Sequence, residues 1–388
     1  MSEFTPRVNS RVASIKPSGI RRFFDLAETI KDCISLGVGE PDFLTPYHIR
    51  DAGIVTLERG LTRYSPNAGY SALRKAVSRY LERRFELSYD WNGEILVTVG
   101  GSEAIDLAVR AIAEPGDEVL IPEPSFVCYT PIALLAGAVP VPIRTAEADS
   151  FKLTPELLKA AITPRTRILM LPYPCNPTGG IMTRADLEAL AAVIRDTDIT
   201  IISDEIYAEL TYGGKHVSIA SLPGMRARTI YVGGLSKSHS MTGWRMGYAC
   251  GDRAFLSQMT KIHQFAVMCA PTTSQYAAIE ALENGDGDIE RMRDDYDTRR
   301  RLFVEGARAL GLPVFEPEGA FYAFPNIQGT GLSSQMFAEE LIKSQRVAVI
   351  PGEAFGESGG GFVRACYAAS SDNLKTALER IGRFLETL

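Results

Sequence analysis

The chain has 388 residues, of which 45% are hydrophobic and 23% are charged, and this composition excludes disordered and collagen-like proteins. Its 41 Lys and Arg residues stand against 47 Asp and Glu residues, so the net charge of −6 provides no broad basic field for nucleic acid or for an anionic membrane. The length is sufficient for two or three compact units, or for one large α/β unit with an accessory lobe, without a stabilising disulfide or metal ion.

The cysteines and histidines show no metal-site pattern. The six cysteines form no Cys-x-x-Cys pair, and the four histidines lack the spacing of metal ligands. We therefore expect free thiols, a reducing compartment and no metal. The N-terminal segment lacks the apolar stretch of a signal peptide, and no stretch approaches the ~18–20 apolar residues of a bilayer span. The sequence thus predicts a cytoplasmic protein that does not enter a membrane.

From residue 94 onward, short apolar runs alternate with amphipathic helical patterns. This alternation predicts a mainly parallel sheet covered by helices on both faces, which is an α/β architecture. In such a sheet the functional residues gather at the carboxyl ends of the strands. The predicted strands, in chain order, are ILVTV, EVLIP, VPVPI, RILMLP, ITIISD and TIYVGG.

The pattern changes after Met259 to long charged helices, short strands around residues 320–324, 348–350 and 362–365, and a closing helix. These elements predict a second, smaller α+β lobe. The helix DIERMRDDYDTRRRLFVEGARAL is dense in Arg and Asp. A solvated face with many salt bridges explains such a pattern more often than a partner surface does.

The segment GGLSKSHSMTGWRMGY, residues 233–248, follows a predicted strand and carries one lysine and one arginine in a polar loop. A lysine at a strand end can be partly desolvated, which lowers the pKa of its amine and makes it a nucleophile toward an aldehyde. Lys237 fits this description, and Arg245 with the hydroxyl of Ser236 would bind a nearby anion. The loop therefore suggests a phosphorylated aldehyde cofactor, whereas the alternative is a surface loop with two solvated cations.

Asp204 ends the predicted strand ITIISD, where a buried carboxylate requires a cationic partner. A protonated pyridine nitrogen would serve, as in a pyridoxal phosphate site, and Tyr207 would donate a hydrogen bond to the hydroxyl of the same ring. The more frequent role of such an aspartate is a helix N-cap.

Two loops complete the predicted cofactor site. In LPYPCNPTGG, residues 171–180, the Pro, Asn and Gly residues predict a rigid turn, with a possible cis Xaa–Pro bond, from which Asn176 reaches the ring hydroxyl. An Asn-Pro turn without a ligand is equally compatible. Gly100, Gly101 and Ser102 join a strand to a helix and predict an anion site at the helix N-terminus, with Ser102 as phosphate ligand, helix cap or both. The dinucleotide fingerprint and the P-loop pattern are missing from this segment.

Two further residues point to a flat ring and a carboxylate. Arg364 lies in the apolar run GFVRACYA and requires a carboxylate partner, either in a substrate or in an internal salt bridge. Phe126 follows a strand and a Pro turn and would stack on a heteroaromatic ring, although a lone aromatic residue is more often part of the core.

Taken in chain order, these segments resemble the class I/II aminotransferases, pyridoxal-phosphate-dependent enzymes of fold type I. The chain is most similar to the branch of aromatic or broad-specificity and N-acetyl-diaminopimelate aminotransferases. The resemblance implies an α/β large domain with a mainly parallel seven-stranded sheet, residues 48–285, and a smaller α+β domain built from residues 1–47 and 286–388. The resemblance covers nearly the whole chain and is carried by SLGVGEPDF, RYSPNAG, VTVGGSEA, PYPCNPTGG, SDEIY, LSKSHSMTGWRMGY and FVRACYA.

The resemblance also implies a role for each candidate residue. Lys237 would carry pyridoxal phosphate covalently, Asp204 would pair with its ring nitrogen, and Tyr207 would complete the catalytic set. Phe126 would stack on the ring, while Asn176 and Tyr207 would bond its hydroxyl. The remaining implied ligands are Gly101, Ser102, Glu103, Ser236 and Arg245 for the cofactor, Tyr64 from the other subunit of a homodimer, and Gly39, Asn176 and Arg364 for the substrate.

The implied activity is transfer of an amino group from an L-amino acid, aromatic or of broad range, to a 2-oxo acid such as 2-oxoglutarate by a ping-pong mechanism. No second arginine for a side-chain carboxylate is identified, so the motifs do not indicate specificity for aspartate. The same scaffold also supports β-lyases and synthases of the aminocyclopropane type. A non-catalytic regulator that binds the cofactor is a further alternative, which the acidic balance disfavours because such proteins contact DNA.

Overall fold

The computed structural model describes residues 6–17 and 19–388, so residues 1–5 and 18 of the predicted small domain lie outside the described residues. The helices are α1 (Ser10–Ser14), α2 (Gly19–Thr29), α3 (Tyr47–Glu58), α4 (Ser71–Phe85), α5 (Gly100–Ile112), α6 (Tyr129–Ala136), α7 (Pro155–Ala161), α8 (Arg184–Ile194), α9 (Arg253–Ala266), α10 (Thr272–Asn284), α11 (Asp286–Ala309), α12 (Ser334–Gln345) and α13 (Ser371–Leu385). The strands are β1 (Ile34–Ser35), β2 (Ile95–Val99), β3 (Glu118–Glu123), β4 (Val139–Arg144), β5 (Thr166–Leu171), β6 (Thr200–Asp204), β7 (Thr229–Gly234), β8 (Met246–Cys250), β9 (Tyr322–Ala323), β10 (Val347–Ala348), β11 (Ile350–Pro351) and β12 (Val363–Cys366).

A seven-stranded sheet in the order β2-β8-β7-β6-β5-β3-β4 forms the centre of the larger lobe. Five of these strands run parallel to one another, namely β7, β6, β5, β3 and β4. The strand β8 pairs antiparallel with both β2 and β7. Every residue of β6 is buried, as expected for a strand covered on both faces. The predicted mainly parallel α/β sheet is therefore confirmed.

β8 is the strand that the sequence pattern missed. Its residues, MGYAC, directly follow the polar loop with Lys237 and Arg245, and the run is short and contains a glycine. Gly247 permits this strand to approach the start of α5, because a Cβ atom at Gly247 would lie 2.5 Å from the carbonyl carbon of Gly100. The missed strand thus holds the polar loop against α5.

The second lobe contains a three-stranded antiparallel sheet in the order β11-β12-β9. The large aromatic residues Phe303, Phe321, Phe324 and Phe337 are buried in its core. Near the N-terminus, β1 pairs parallel with β10, and α2 packs against β10 and β11. Residues near both ends of the chain therefore share one core, while the division at 47/48 and 285/286 stays a prediction.

The charged helix α11 carries many salt bridges, as the interpretation of its sequence required. Its buried Arg299 binds Asp42 of the N-terminal segment with an N–O distance of 2.7 Å and Asp295 of its own helix at 2.6 Å. Arg300 likewise pairs with Asp297 at 2.7 Å. The Arg299–Asp42 pair therefore attaches the N-terminal segment to α11.

No helix in the described part of the chain is both long and apolar enough to cross a bilayer. The same residues contain no group of three or more His, Cys, Asp or Glu side chains arranged to hold a metal ion. All six cysteines are free thiols.

His48 on α3 joins this helix to carboxylates on α10 and α11. Its Nδ1 lies 2.7 Å from Glu280 and its Nε2 lies 2.9 Å from Asp288. Partial burial lowers the pKa of His48, but the hydrogen bonds to Asp288 and Glu280 raise the pKa by more, so the net pKa is raised. A raised pKa in the folded state means that the contribution to stability is complete below the unfolded-state value of about 6.5 and is lost as pH rises through the folded-state value.

We therefore expect His48→Gln to lower the free energy of unfolding at pH 5.5 and to have little effect at pH 9. Because the side chain is 36% exposed, the difference should stay below about 1 kcal/mol. Denaturant unfolding at the two pH values measures it. An equal loss at both pH values would show that the ion pairs contribute nothing.

Candidate active site

A cavity of about 330 Å³ opens at the carboxyl ends of the central strands, where the second lobe meets the sheet. The sheet edge is the place where an α/β architecture is expected to hold its functional groups. The predicted site residues that line this cavity are Gly39, Gly101, Ser102, Phe126, Asn176, Asp204, Tyr207, Ser236, Lys237, Arg245 and Arg364. Glu103 and Tyr64 do not line it.

Lys237 lies in the loop that follows β7, and its side chain is partly buried. Its Nζ donates a hydrogen bond of 2.6 Å to the carbonyl oxygen of Gly39. Burial lowers the pKa of the amine to about 8, and the positive charges of Arg364 and Arg245 act in the same direction. A larger fraction of the amine is therefore neutral at pH 7 than for an exposed lysine, which suits a nucleophile.

Asp204 is the last residue of β6 and is buried. Tyr129 donates a hydrogen bond of 2.7 Å to its Oδ2, and the backbone N–H of Ile206 donates one of 3.3 Å to its Oδ1. Burial raises the pKa of the carboxyl, and within the described residues no cationic side chain counteracts this effect. A turn rather than a helix follows, so the N-cap alternative is wrong. The buried carboxylate of Asp204 therefore still requires a cationic partner in the cavity.

Asn176 and Tyr207 lie on neighbouring connections at the same sheet edge. The turn that carries Asn176 contains cis peptide bonds at Tyr173-Pro174 and Asn176-Pro177. The Oδ1 of Asn176 accepts a hydrogen bond of 2.9 Å from Arg364, which leaves its NH₂ group as a donor for another acceptor. The Tyr207 hydroxyl lies 2.8 Å from that of Tyr322.

The anion cradle is built at the start of α5. This helix begins at Gly100, and its N-cap, Val99, makes no side-chain cap, so the interpretation of Ser102 as a helix cap is wrong. Gly100 has φ +76°, and a Cβ atom there would lie 2.6 Å from Nη2 of Arg245. The free N–H groups of a helix start and a guanidinium therefore meet at one point, which favours an anion such as phosphate.

The carboxylate of Glu103 faces away from the cavity, so only its backbone N–H, in the first turn of α5, is left for the predicted contact with the cofactor. Its Oε2 accepts a hydrogen bond of 2.5 Å from the backbone N–H of Val99, and its Oε1 lies 2.9 Å from Nδ1 of the buried His263. Glu103 thus supports the turn in front of α5. Tyr64 is 80% exposed and lies outside the cavity of its own subunit.

Arg364 projects from β12 into the cavity and is buried. Nη1 donates to Asn176, Nη2 donates to the carbonyl oxygen of Gly37, and Nε has no partner in the described part of the chain. No carboxylate of the described residues pairs with it, so the internal salt bridge proposed as an alternative does not form. A buried guanidinium with free N–H groups is suited to bind a carboxylate in two-point geometry.

Sequence reasoning missed several residues of the cavity lining, among them two tyrosines and two residues of α2. Tyr129 lies three residues after Phe126 at the start of α6, and Tyr322 lies in a predicted strand, yet neither carried a motif of its own. Ile20 and Phe24 come from α2, whose amphipathic pattern indicates only that one face is buried. A buried carboxylate requires a hydrogen-bond donor, but the sequence did not indicate that Tyr129 is the donor to Asp204.

The donor set fits pyridoxal phosphate. The unpaired carboxylate of Asp204 matches a protonated ring nitrogen, the amine of Lys237 matches the aldehyde, and the α5 cradle with Arg245 matches the phosphate. Each of these three groups is incompletely satisfied by the described residues alone. The cavity therefore provides a counterpart for each polar end of the cofactor.

Comparison with known proteins agrees with this geometry. The sequence model of the family "Aminotransferase class I and II" matches residues 31–381. The Bacillus subtilis protein YugH, which is named as an aminotransferase, is 49% identical over 98% of this chain and 99% of its own. A B. subtilis protein named as an N-acetyl-LL-diaminopimelate aminotransferase is 42% identical over 97% of this chain and 95% of its own.

Comparison with solved structures identifies the same family. The crystal structure of the aromatic aminotransferase from Pyrococcus horikoshii OT3 superposes with a TM-score of 0.90 at 43% identity, covering 94% of this chain and 99% of that one. Other relatives of comparable identity are named aspartate or aromatic-amino-acid aminotransferases, so their names do not agree on one substrate. The chain belongs to the class I and II aminotransferases and is a pyridoxal-phosphate-dependent enzyme of fold type I.

Proposed function

We propose that the enzyme transfers the amino group of an L-amino acid with an aromatic or other apolar side chain to a 2-oxo acid such as 2-oxoglutarate, by a ping-pong mechanism. The observation that carries this proposal is the small number of cations in the cavity. Among the described residues its lining contains three, Lys237, Arg245 and Arg364, and each already has a partner in the cofactor or in the α-carboxylate. The described residues that line the cavity within one subunit therefore leave no cation for a side-chain carboxylate.

Apolar residues of α2 cover the part of the cavity near Arg364. Phe24 and Ile20 both line the cavity. A Cβ atom at Gly37 would lie 3.5 Å from Cε1 of Phe24, and the carbonyl oxygen of Gly37 accepts a hydrogen bond from Arg364. An apolar side chain of a substrate held by Arg364 would thus bury its surface against α2 and gain about 25 cal/mol per Å².

The polar residues of the cavity, together with Phe126, would each act on one part of the cofactor. Asp204, oriented by Tyr129, would keep the ring nitrogen protonated, Phe126 would stack on the ring, and Arg245 with Ser236 and the α5 N–H groups would bind the phosphate. When bound, pyridoxal phosphate would supply the aldehyde that joins to an amine and the charged ring that withdraws electrons from the α-carbon. Asn176 and Tyr207 would donate hydrogen bonds to the ring hydroxyl.

Lys237 and Arg364 act on the substrate. Arg364 binds the α-carboxylate and so orients the Cα–H bond for cleavage. The amine of Lys237 would accept the α-proton of the bound substrate, and its pKa of about 8 suits a general base near neutral pH. One cavity with one carboxylate-binding arginine receives the amino acid and the 2-oxo acid in turn, which supports the ping-pong order.

The alternatives on the same scaffold differ in their products. A transaminase given an amino acid alone releases one oxo acid per site and then stops until a 2-oxo acid is added. A β-lyase or an aminocyclopropane-type synthase continues without an acceptor. Specific retardation of DNA in a gel would instead favour a regulator.

We also propose a homodimer with shared sites, on the basis of large exposed apolar side chains. Leu44, Tyr47 and Leu57, in and beside α3, have exposed fractions of 76%, 70% and 61%, and Phe265 on α9 is 87% exposed. Asn67 donates a hydrogen bond of 2.8 Å to the carbonyl oxygen of Met268, which joins the loop after Tyr64 to the segment after Phe265. Burial of these side chains against a second copy of the chain supports the homodimer, and that copy would bring Tyr64 to the neighbouring cavity.

A panel of amino donors, each assayed with 2-oxoglutarate and with pyruvate, tests the proposed substrate class. We expect phenylalanine, tyrosine and leucine to have kcat/KM values at least tenfold above that of aspartate, since one buried apolar side chain is worth roughly 1.5–3 kcal/mol. Phe24→Ala should lower kcat/KM for phenylalanine about tenfold. It should leave the value for alanine, whose side chain does not reach α2, nearly unchanged. A preference for aspartate, or an equal loss for both donors in the variant, would contradict the assignment.

Lys237→Ala should remove the covalent link to the cofactor and should also lower kcat by several powers of ten, because the nucleophile and the base are the same amine. Borohydride reduction of the wild-type enzyme, followed by peptide mapping, should place the cofactor on the peptide containing Lys237. Lys261→Ala, at an exposed lysine bonded to Gln258, is the matched control. A label on another peptide would refute the assignment.

Mixed dimers test the shared site. Tyr64→Ala and Lys237→Ala should each be nearly inactive alone. Random reassortment makes half of the dimers mixed, and each mixed dimer has one intact site, so about a quarter of wild-type activity should return. If Tyr64 serves its own subunit, no activity returns.

A further inference from the structure

Tyr322 is the first residue of β9 and carried no motif in the sequence, yet it lines the cavity. It is almost completely buried, at 1% exposure. Its hydroxyl and its ring contact two different functional residues. These two contacts involve different parts of the side chain and are independent of each other.

The hydroxyl of Tyr322 lies 2.8 Å from the hydroxyl of Tyr207, and either oxygen can be the donor. A phenol has a single hydrogen. If Tyr207 donates its hydrogen to the ring hydroxyl oxygen of the cofactor, the bond between the two tyrosines must use the hydrogen of Tyr322. Tyr322 then determines the direction in which Tyr207 donates.

The Tyr322 hydroxyl also packs directly against Gly39, where an added Cβ atom would clash with it. The carbonyl oxygen of Gly39 in turn accepts the hydrogen bond from Lys237. This close packing restricts the hydroxyl to its position beside Tyr207.

The ring of Tyr322 contacts the carboxylate-binding arginine. Cζ of Arg364 lies 4.6 Å from the centroid of the Tyr322 ring and 4.7 Å from that of Phe355. The guanidinium is thus held by cation–π contacts with two rings, while its hydrogen bonds run to Asn176 and Gly37. The ring therefore contributes to the orientation of the groups that remain free for a carboxylate.

We propose that Tyr322 is a positioning residue with two separable effects: its hydroxyl orients the hydrogen that Tyr207 donates to the cofactor ring hydroxyl, and its ring orients Arg364 toward the substrate carboxylate. This inference rests on the proposed roles of Tyr207 and Arg364. It predicts that removal of the hydroxyl and removal of the ring change different properties.

Tyr322→Phe removes the hydroxyl and keeps the ring. A hydrogen bond donated to the ring hydroxyl oxygen stabilises the form that has lost its proton, so a weaker bond from Tyr207 raises the pH midpoint of the absorbance change of the resting holoenzyme. We expect an upward shift of about 0.3–1 pH unit, the size of one modest hydrogen bond. The dissociation constant of 3-phenylpropionate, an unreactive carboxylate, should stay within about twofold of wild type because the cation–π contact remains.

Tyr322→Leu removes the ring as well and should weaken 3-phenylpropionate about five- to tenfold. Tyr367→Phe is the matched control, since this buried tyrosine lies in the same core and its hydroxyl donates a hydrogen bond of 3.2 Å to the carbonyl oxygen of Ala320, away from Tyr207 and Arg364. It should change neither the midpoint nor the dissociation constant.

Tyr207→Phe tests the role of Tyr207 separately from the role proposed for Tyr322. It should raise the midpoint by more than Tyr322→Phe, and adding Tyr322→Phe to it should cause no further shift, because the hydroxyl of Tyr322 acts through Tyr207. A normal midpoint in Tyr322→Phe, a further shift in the double variant, or unchanged carboxylate binding in Tyr322→Leu would overturn the role of Tyr322 alone. An unshifted midpoint in Tyr207→Phe would overturn the assignment of Tyr207 and with it this proposal.

Discussion

The site depends on charges of opposite sign that share one cavity without neutralising each other. Asp204 is buried without a cationic partner, and Arg364 is buried without a carboxylate among the described residues. Neutral dipoles satisfy them in part: Tyr129 donates to the carboxylate, and Asn176 with Gly37 accepts from the guanidinium. Unpaired buried charge is unfavourable, so binding of a cofactor and a substrate with complementary charges recovers that free energy.

The backbone keeps these charges apart. Lys237 and Arg245 lie on one connection between β7 and β8, and that connection is held at both ends by strands of the same sheet. Asp204 ends the adjacent strand β6, whose position is set by pairing with both β5 and β7. Because strand pairing has a defined register, the distances among the three groups follow from backbone hydrogen bonds rather than from the side chains themselves. A rigid frame of this kind is what preorganised catalysis requires.

The second lobe supplies the other half of the site. Arg364 and Tyr322 come from β12 and β9, and Phe24 comes from α2, which packs on the same lobe. The bond from Arg364 to Asn176 joins the two lobes across 188 positions of sequence. The proposed apolar preference for the substrate therefore originates in an element far from every cofactor motif.

The sequence by itself determined which residues have the chemistry of the site and that a parallel α/β sheet presents them at strand ends. Lys237, Asp204 and Arg364 were identifiable because a charged side chain beside a continuous apolar run is unfavourable without a partner. The tertiary structure decided the rest: that Glu103 faces His263 instead of the cavity, that β8 completes the sheet, and that Tyr129, Tyr322 and Phe24 reach the site. The physical reason is that a Tyr or Phe is compatible with any buried position. Only long-range packing determines which of them contacts a charge.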